Sequence, residues 1–468
     1  MRYKTVPVDF IGGYKRSRSR AWSSQSSVNL YVSQQSSGRS PEALLPWPGE
    51  KLFSSGSDSC RGLINHNEVL YGVFGTKLYS IADGGVRTEV GNGIVGNDRC
   101  VMVSDGDQII FRAGATYIYN GTNLSVVSDP DLEHAATLAY INSQVVYQGT
   151  GKKIFVSDAA NYSSVNPLNV GSAESIGDDL KQVYVFNERL YLAGSKSVEV
   201  WYNSGVDNPP FAKIDQGTSN IGVASPYSMA SNENYLYMLC SDDNVYRTNA
   251  YQWQPISDET ICKDLRESTT SDAVGYCVNL DGYRFYIIQL PAANKTLAYC
   301  QETGEWIRLS TGVFPTFPRH MLEAYAYCYG RHLIGSNTDG NIYEWDFNTF
   351  NSNGNTIIRQ RDSAPINGSQ LGSPGSRLLM NRAEFFMETG EATATNPNPE
   401  IMVSASYDNG RSFTSEDWVK TGREGETIRR VEWYNCASFY DIILRVRISD
   451  EFFTSIHGAA IDLKTAGW

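Results

Sequence analysis

The chain has little of what enzymes are usually built around. Only five histidines are spread over 468 residues, His66, His134, His320, His332 and His457. None stands in a His-x-x-x-His pair or a recognisable triad. The eight cysteines never form Cys-x-x-Cys and no histidine follows them at zinc-ligand spacing, so they read as reduced structural thiols. Gly149-Thr150-Gly151-Lys152-Lys153 lacks the first glycine of a phosphate loop, and Lys153 stands where a magnesium-holding Ser or Thr is needed. It reads as a hairpin turn, as does Asp105-Gly106-Asp107. The sequence therefore predicts no catalytic residues, no metal and no cofactor. Paired carboxylates for glycoside hydrolysis leave no trace at this level, because their separation is invisible in a sequence. Replacing His134, His320 or His332 with Asn is expected to bring only modest packing losses.

Positive charge is also short. Lys and Arg number 39 against 51 Asp and Glu, a net charge of -12, which argues against general affinity for nucleic acid. No run approaches the roughly 20 apolar residues of a membrane span. Residues 6–14 are broken by Asp9, Gly12 and Gly13 and do not read as a signal peptide, so a soluble protein made without a secretion signal is expected. No long stretch keeps a 3.6-residue apolar period free of Gly, Pro, Asn or Asp. Helix formers are thin, whereas Tyr stands at 29 and Gly at 41, the balance of an all-β chain.

What is present is a repeat. Seven times between Leu63 and Trp345 an apolar run meets a polar turn, a second apolar run follows, and a Gly- or Asp/Asn-bearing turn leads to a last apolar-aromatic pair. The turn-and-run pairs are Asn65 with Leu70-Tyr71, Asp105-Gly106 with Ile110-Phe111, Asn142 with Val146-Tyr147 and Asn187 with Leu190-Tyr191. Asn232 with Leu236-Tyr237, Asp281-Gly282 with Phe285-Tyr286 and Gly330 with Leu333-Ile334 complete the series. A spacing of roughly 40 to 50 residues is that of a propeller blade. A lone hairpin cannot bury its apolar face, so copies stacked around an axis solve the problem. The expected architecture is a β-propeller-like body of six or seven blades over 61–347, preceded by an extended N-terminal arm and lead-in over 1–60. Residues 348–374, poor in apolar residues, read as a linker or crossing loop. Alternation then returns at 382–388, 401–407, 430–433, 441–448 and 458–463, which suits a C-terminal β-sandwich over 375–468. The loop 389–400 has no evident core residues and is expected to project.

Two local features stand out against this background. Lys15, Arg16, Arg18 and Arg20 are interleaved with serines and followed by Trp22. On an acidic chain such a run either meets acidic protein surface or touches DNA passing nearby. Ser406-x-Asp408-x-Gly410-x-Ser412-Phe413 matches the Asp-box of sialidases and other propeller hydrolases, where it braces a hairpin. Here it occurs once, outside the seven repeats, and no arginine triad can be assigned to it.

Several short motifs occur in a fixed order: Ser27-Val28-Asn29-Leu30-Tyr31, Pro46-Trp47-Pro48-Gly49, Cys60-Arg61-Gly62, the stretch from Gly194 to Trp201, Leu444-Arg445-Val446 and Gly458-Ala459-Ala460-Ile461. In this order and over nearly the whole chain they resemble the tail hub, or nozzle, proteins of short-tailed P22-like phages, the packaged DNA stabilisation protein family. The basic run at 15–20 and the loop 389–400 depart from that pattern. The resemblance implies a structural virion protein of the phage tail, made in the host cytoplasm. It implies a hexameric ring below the portal and its head-to-tail adaptor, extending the DNA channel and helping to retain packaged DNA without sequence-specific binding. It also implies tailspike or fibre and tail-needle attachments and no membrane insertion by this chain. Lys15, Arg16, Arg18 and Arg20 are candidate contacts to a neighbouring subunit or the adaptor because of their charge on an acidic chain and not through the resemblance, with channel DNA as the alternative. A propeller-type glycan-cleaving, sialidase-like enzyme and a monomeric interaction scaffold stay open beside it, since a propeller alone does not fix a function.

Overall fold

The computed structural model describes residues 2–35, 40–174, 177–205, 209–312 and 315–466. Among the described residues there are seven four-stranded antiparallel blades: the first six repeats each supply four strands and the seventh three, with blades 6 and 7 belonging to larger sheets. The first runs outward through Cys60–His66, Val69–Phe74, Lys77–Ile81 and Arg87–Asn92. Five more follow at 101–126, 138–172, 180–219, 230–255 and 274–308. The inner hairpins close as the sequence demands. Asn67-Glu68, Asn142-Ser143 and Asn187-Glu188 all take positive φ between 49 and 61°, the two-residue turn whose twist matches the flanking strands.

The continuous apolar runs are explained by the stacking. In a propeller both faces of every blade are covered, so successive residues of a middle strand pack on opposite neighbours. Leu190 and Leu192 pack with Val146 and Ile154 of blade 3, while Tyr191 between them packs with Leu236 and Met238 of blade 5. The same division separates Ile109 and Phe111 from Ile110 in blade 2. Blade 7 packs against blade 1 through Ala324, Leu333 and Ile342 on Leu70 and Phe74, so the ring is closed.

Closure also uses strand pairing between distant parts of the chain. Blade 7 takes three strands from its own repeat, Leu322–Cys328, Arg331–Ser336 and Ile342–Asp346, and its outermost strand, Gly49–Ser54, from the N-terminal region. Gly49 admits no side chain there: a Cβ would stand 2.4 Å from the Thr349 carbonyl oxygen and 2.6 Å from that of Asn351.

The C-terminal unit is a two-sheet β-sandwich. One sheet orders Val431–Phe439, Leu378–Met387, Ile456–Thr465, Glu42–Pro46 and Leu30–Gln34, with Lys4–Val8 also pairing with Ile456–Thr465. The other carries Arg359–Asp362, Asp441–Ile448, Glu400–Ser406 and Asp417–Lys420. Val32, Leu44, Phe385, Ile401, Trp433, Leu444 and Ile461 meet in its core.

The stretches expected to be an arm and a linker are therefore woven into both bodies. Ser27–Val28 pairs with Arg308 of blade 6 on one side and with Gln360 and Arg361 on the other, so the blade 6 sheet runs on into the sandwich without a break. Asn29, at φ 53°, clasps the same seam with hydrogen bonds from Nδ2 to the carbonyls of Ser310 (2.7 Å) and Ile358 (2.9 Å). The physical reason is that an isolated sandwich from 375 onward would lack the strands that cover its core. Nor does the loop 389–400 only project: Thr389 is buried, and Glu391, Ala392 and Thr393 wall a cavity at the junction of the two bodies. Among the described residues the helices are Glu259–Arg266, between blades 5 and 6, and the short 3-10 turn Gly368–Leu371.

Candidate functional site

The basic run folds as a small hairpin, Lys15–Arg16 pairing with Ser24–Gln25. The interleaved serines tie its tip. Ser17 Oγ donates to the Ser19 carbonyl, Ser23 Oγ donates to the Lys15 carbonyl at 2.8 Å, and the amides of Trp22 and Ser23 both reach the Ser19 carbonyl. Trp22 is left 77% exposed at the tip. The hairpin lies against the helix Glu259–Arg266: the Arg16 amide donates to Thr260 Oγ1 at 2.8 Å, and Tyr14 Oη donates to Asp264 at 3.0 Å.

The four cations are not equivalent. Lys15 Nζ is paired with Glu305 of the same chain, at 2.6 Å. Arg16, Arg18 and Arg20 make no ion pair among the described residues. Arg20 is held below the usual arginine range, first by the charge of Arg16, then by partial burial and by the charge of Arg411, with Asp408 acting in the opposite sense. That coupling locates the second sequence feature. The Asp-box turn stands beside the hairpin, where a Cβ on Gly410 would be 3.1 Å from Ser24 Oγ.

Within the turn, Asp408 Oδ1 accepts from the amides of Arg411 and Ser412, both at 2.9 Å, and Oδ2 accepts from Ser412 Oγ at 2.5 Å. These donors, led by the Ser412 hydroxyl, lower the Asp408 pKa to about 2. Ser406 Oγ donates to Asp408 and accepts from the Gly410 amide at 2.8 Å, with Gly410 at φ 77°. Phe413 lies under the Arg445 guanidinium, 3.3 Å from the ring centre. The carboxylate is thus saturated with local donors. Two of the three arginines in the adjoining cleft are neutralised as well: Arg445 holds Asp362 through two 2.7 Å contacts, and Arg447 pairs with Glu416. Among the described residues Arg411 is the one lining arginine without an ion pair, so the cleft does not present three unpaired arginines to a substrate carboxylate.

The propeller axis holds a cavity of about 610 Å³ lined by the inner strands. Arg99, at the start of blade 2, reaches over it to the Tyr276 hydroxyl of blade 6 and the Glu323 carbonyl of blade 7. A volume of that order suits a small molecule and is far too narrow for duplex DNA.

Among the described residues no group of three or more His, Cys, Asp or Glu side chains is placed to hold a metal ion, and no helix is long and apolar enough to cross a membrane. The histidines have structural partners. His332 Nδ1 meets the Tyr325 hydroxyl at 2.9 Å. His320 departs from the expectation of a replaceable side chain: it is wholly buried and contacts the equally buried Glu50 on the closing strand at 2.7 Å. His134 Nδ1 accepts from Thr116 Oγ1 at 2.5 Å while Nε2 donates to the Thr137 carbonyl at 2.9 Å. Burial drives its pKa from 6.5 down to about 3. The folded value is below the unfolded one, so the unfolded chain takes up the proton first as pH falls. The contribution is complete above about pH 6.5 and is lost toward pH 3, at up to ~1.4 kcal/mol per pH unit for one proton. His134→Asn should therefore narrow the gap between urea midpoints measured at pH 7 and pH 4.5.

Two family models match the chain. The β-propeller of bacteriophage P22 Gp10 matches residues 5–350, and the β-sandwich of bacteriophage P22 Gp10 matches residues 368–464. No curated protein matches it. Among solved structures it is similar to the computationally designed Ika8 protein, at 10% identity over 64% of this chain and 99% of that one, with a TM-score of 0.42. BamB from Moraxella catarrhalis is similar at 11% identity, covering 74% and 97%, with a TM-score of 0.40. The N-terminal domain of Nup159 is similar at 12% identity, covering 68% and 97%, with a TM-score of 0.41. At these scores the structural likenesses carry no argument about function.

Proposed function

Because this chain belongs to the bacteriophage P22 Gp10 family, a family of phage structural proteins and not of enzymes, we propose that this virion protein is the tail hub, or nozzle. In this reading six copies form a ring below the portal and the head-to-tail adaptor. The ring extends the DNA channel, helps retain the packaged genome, and carries the tailspike or fibre and the tail needle. The chain is made in the host cytoplasm and enters the particle on assembly.

The observation that carries the reading is the match of both family domains, in order, to a subunit whose domains share one sheet. The continuation of blade 6 into the sandwich gives a subunit that resists bending at the junction, as a ring under internal DNA pressure requires. A net charge of -12 keeps a channel wall from binding phosphate. The axial cavity, bridged by Arg99, leaves the passage to the space enclosed by the ring.

The test is assembly. Full-length protein mixed with a portal-adaptor complex of a short-tailed phage should add as a six-fold ring visible by electron microscopy; a chain that stays monomeric there removes the proposal. A particle-level outcome is expected as well. Reversing Arg16, Arg18 and Arg20 together to Glu should lower the yield of particles that keep their DNA, without changing the thermal unfolding of the purified subunit. The defect should be largest at low salt, since exposed charges are screened beyond about 8 Å at physiological ionic strength. Wild-type filling and retention would mean that the cations are solvated and idle.

A further inference from the structure

The isolated subunit leaves charge unneutralised in two places. Arg16, Arg18, Arg20 and Arg411 gather around the serine-tied tip that exposes Trp22, none of them in an ion pair among the described residues. Like charges held this close repel, and an anionic partner relieves the repulsion. An exposed Trp among arginines is also the side-chain combination that dominates protein interfaces, and a tip already fixed by its own hydrogen bonds loses little freedom on docking.

The complementary charge lies on the propeller. Residues 49–347 carry 20 Lys and Arg against 34 Asp and Glu, whereas the rest of the chain carries 19 against 17. Part of that excess is ordered around one end of the axis, in the turns joining the two inner strands of the blades. Glu68, Asp107, Glu188, Glu233 and Asp281 stand there, exposed, in five different blades. Of these only Glu233 is ion-paired among the described residues, with Arg284 at 3.5 Å. On the same face, between blades 5, 6 and 7, a pit of about 610 Å³ is lined by Glu233, Asp281, Tyr325, Tyr327 and His332, and by Arg284, whose charge is met by Glu233 and Glu302. Tyr327 is 53% exposed beside it. An aromatic floor with carboxylates on its rim is what an indole flanked by guanidinium groups would fill.

We propose that the 17–23 tip, with Trp22 as apolar anchor and Arg16, Arg18, Arg20 and Arg411 around it, docks on this acidic turn face of the propeller of a second copy of the chain. The inference rests on the ring reading above and names the contact that closes the ring. It is heterologous, tip to propeller, the class of contact that generates a closed cycle. DNA fits the tip less well. Glu305 on Lys15, Glu259 at the Arg18 amide and Asp408 near Arg20 are carboxylates among the cations, which a phosphate backbone would meet unfavourably.

A photo-crosslinking aromatic residue placed at position 22 of the full-length chain, under ring-forming conditions, tests this directly. Isotope-labelled second copies should be captured at residues 65–69, 105–108, 187–189, 231–235, 279–283 or 327–332. Capture at the sandwich, at the adaptor alone, or of added duplex DNA would overturn the proposal while leaving the ring reading intact; absence of any ring in wild-type protein would remove both. Arg18→Glu with Arg20→Glu should raise the concentration for half-assembly at least about tenfold. Adding Glu233→Arg and Asp281→Arg should recover a large part of that loss, which a misfolded variant could not do. Failure of recovery with both variants folded by circular dichroism would count against the contact.

Discussion

Replacing Arg361 with methionine is expected to lower the unfolding free energy by about 3–5 kcal/mol, the range for a buried charged donor removed from its partners. Arg361 is wholly buried and acts as a three-pronged donor. Nε donates to the Phe10 carbonyl at 2.7 Å, Nη1 to the Gly13 carbonyl at 2.6 Å, and Nη2 to Gln25 Oε1 at 2.6 Å. All three acceptors belong to the N-terminal segment, so one side chain fixes that segment to the sandwich and sets the entry angle of the basic hairpin. Burial lowers the Arg361 pKa to about 10, with Asp362, Asp9 and Glu305 opposing. The group stays charged at neutral pH. Because its folded value lies below the unfolded 12.5, stability from this group rises only as pH passes from about 10 toward 12.5. Methionine fills much of the volume and leaves three acceptors without a donor. Lysine keeps the charge but not the planar fork, so Arg361→Lys should fall between wild type and methionine. Urea unfolding gives the magnitude, and early proteolysis within 1–25 gives the place. Arg411→Met, at an exposed position, should stay within about 0.5 kcal/mol of wild type. If Arg361→Met does too, the N-terminal segment is not held by this contact.

The same residue shows where the sequence stops speaking. The seven repeats were legible, as a ring of six or seven blades, because each repeat carries its own alternation and its own turn residues, and a blade is made of neighbours in the chain; that all seven close the ring was not. Arg359-Gln360-Arg361-Asp362 is a fully buried strand made only of polar residues. No hydrophobic period can reveal it, because its burial is compensated by hydrogen bonds and ion pairs to segments far away in sequence. Gly49–Ser54 is hidden for a related reason: an outermost blade strand has two exposed residues and a partner at the opposite end of the propeller. The Asp-box was readable as a turn because all its bonds are local. Its position beside the basic hairpin was not, since that contact depends on how the sandwich docks on blade 6. Composition likewise placed His320 with the other histidines, and only the fold distinguishes them.

That distinction carries the second large effect. His320→Asn is expected to destabilise the protein by about 2–4 kcal/mol, whereas His332→Asn, with a partly exposed ring, should remain below about 1 kcal/mol. The His320 and Glu50 side chains are each 1% exposed. His320 Nδ1 accepts the Leu322 amide at 3.2 Å, so Nε2 carries the proton that it donates to Glu50 Oε1 at 2.7 Å. Glu50 Oε2 is buried with no other hydrogen-bond partner among the described residues. The imidazole is therefore the main support of a buried carboxyl group, and Asn is too short to satisfy the amide and the carboxyl group together. The damage should be local in origin, because Glu50 sits on the strand that closes blade 7. Amide exchange in Gly49–Ser54 should accelerate before exchange in blades 2 to 4 does, and the Trp345 ring, 5.7 Å from His320, offers a fluorescence reporter. The double variant Glu50→Leu with His320→Leu separates polar rescue from packing. Removing both partners leaves no orphaned carboxyl group, so it should be more stable than His320→Leu alone by at least about 1 kcal/mol. Equal stabilities would mean that the pair contributes only its volume, and that the closing strand is held by its backbone ladder and by Trp345 alone.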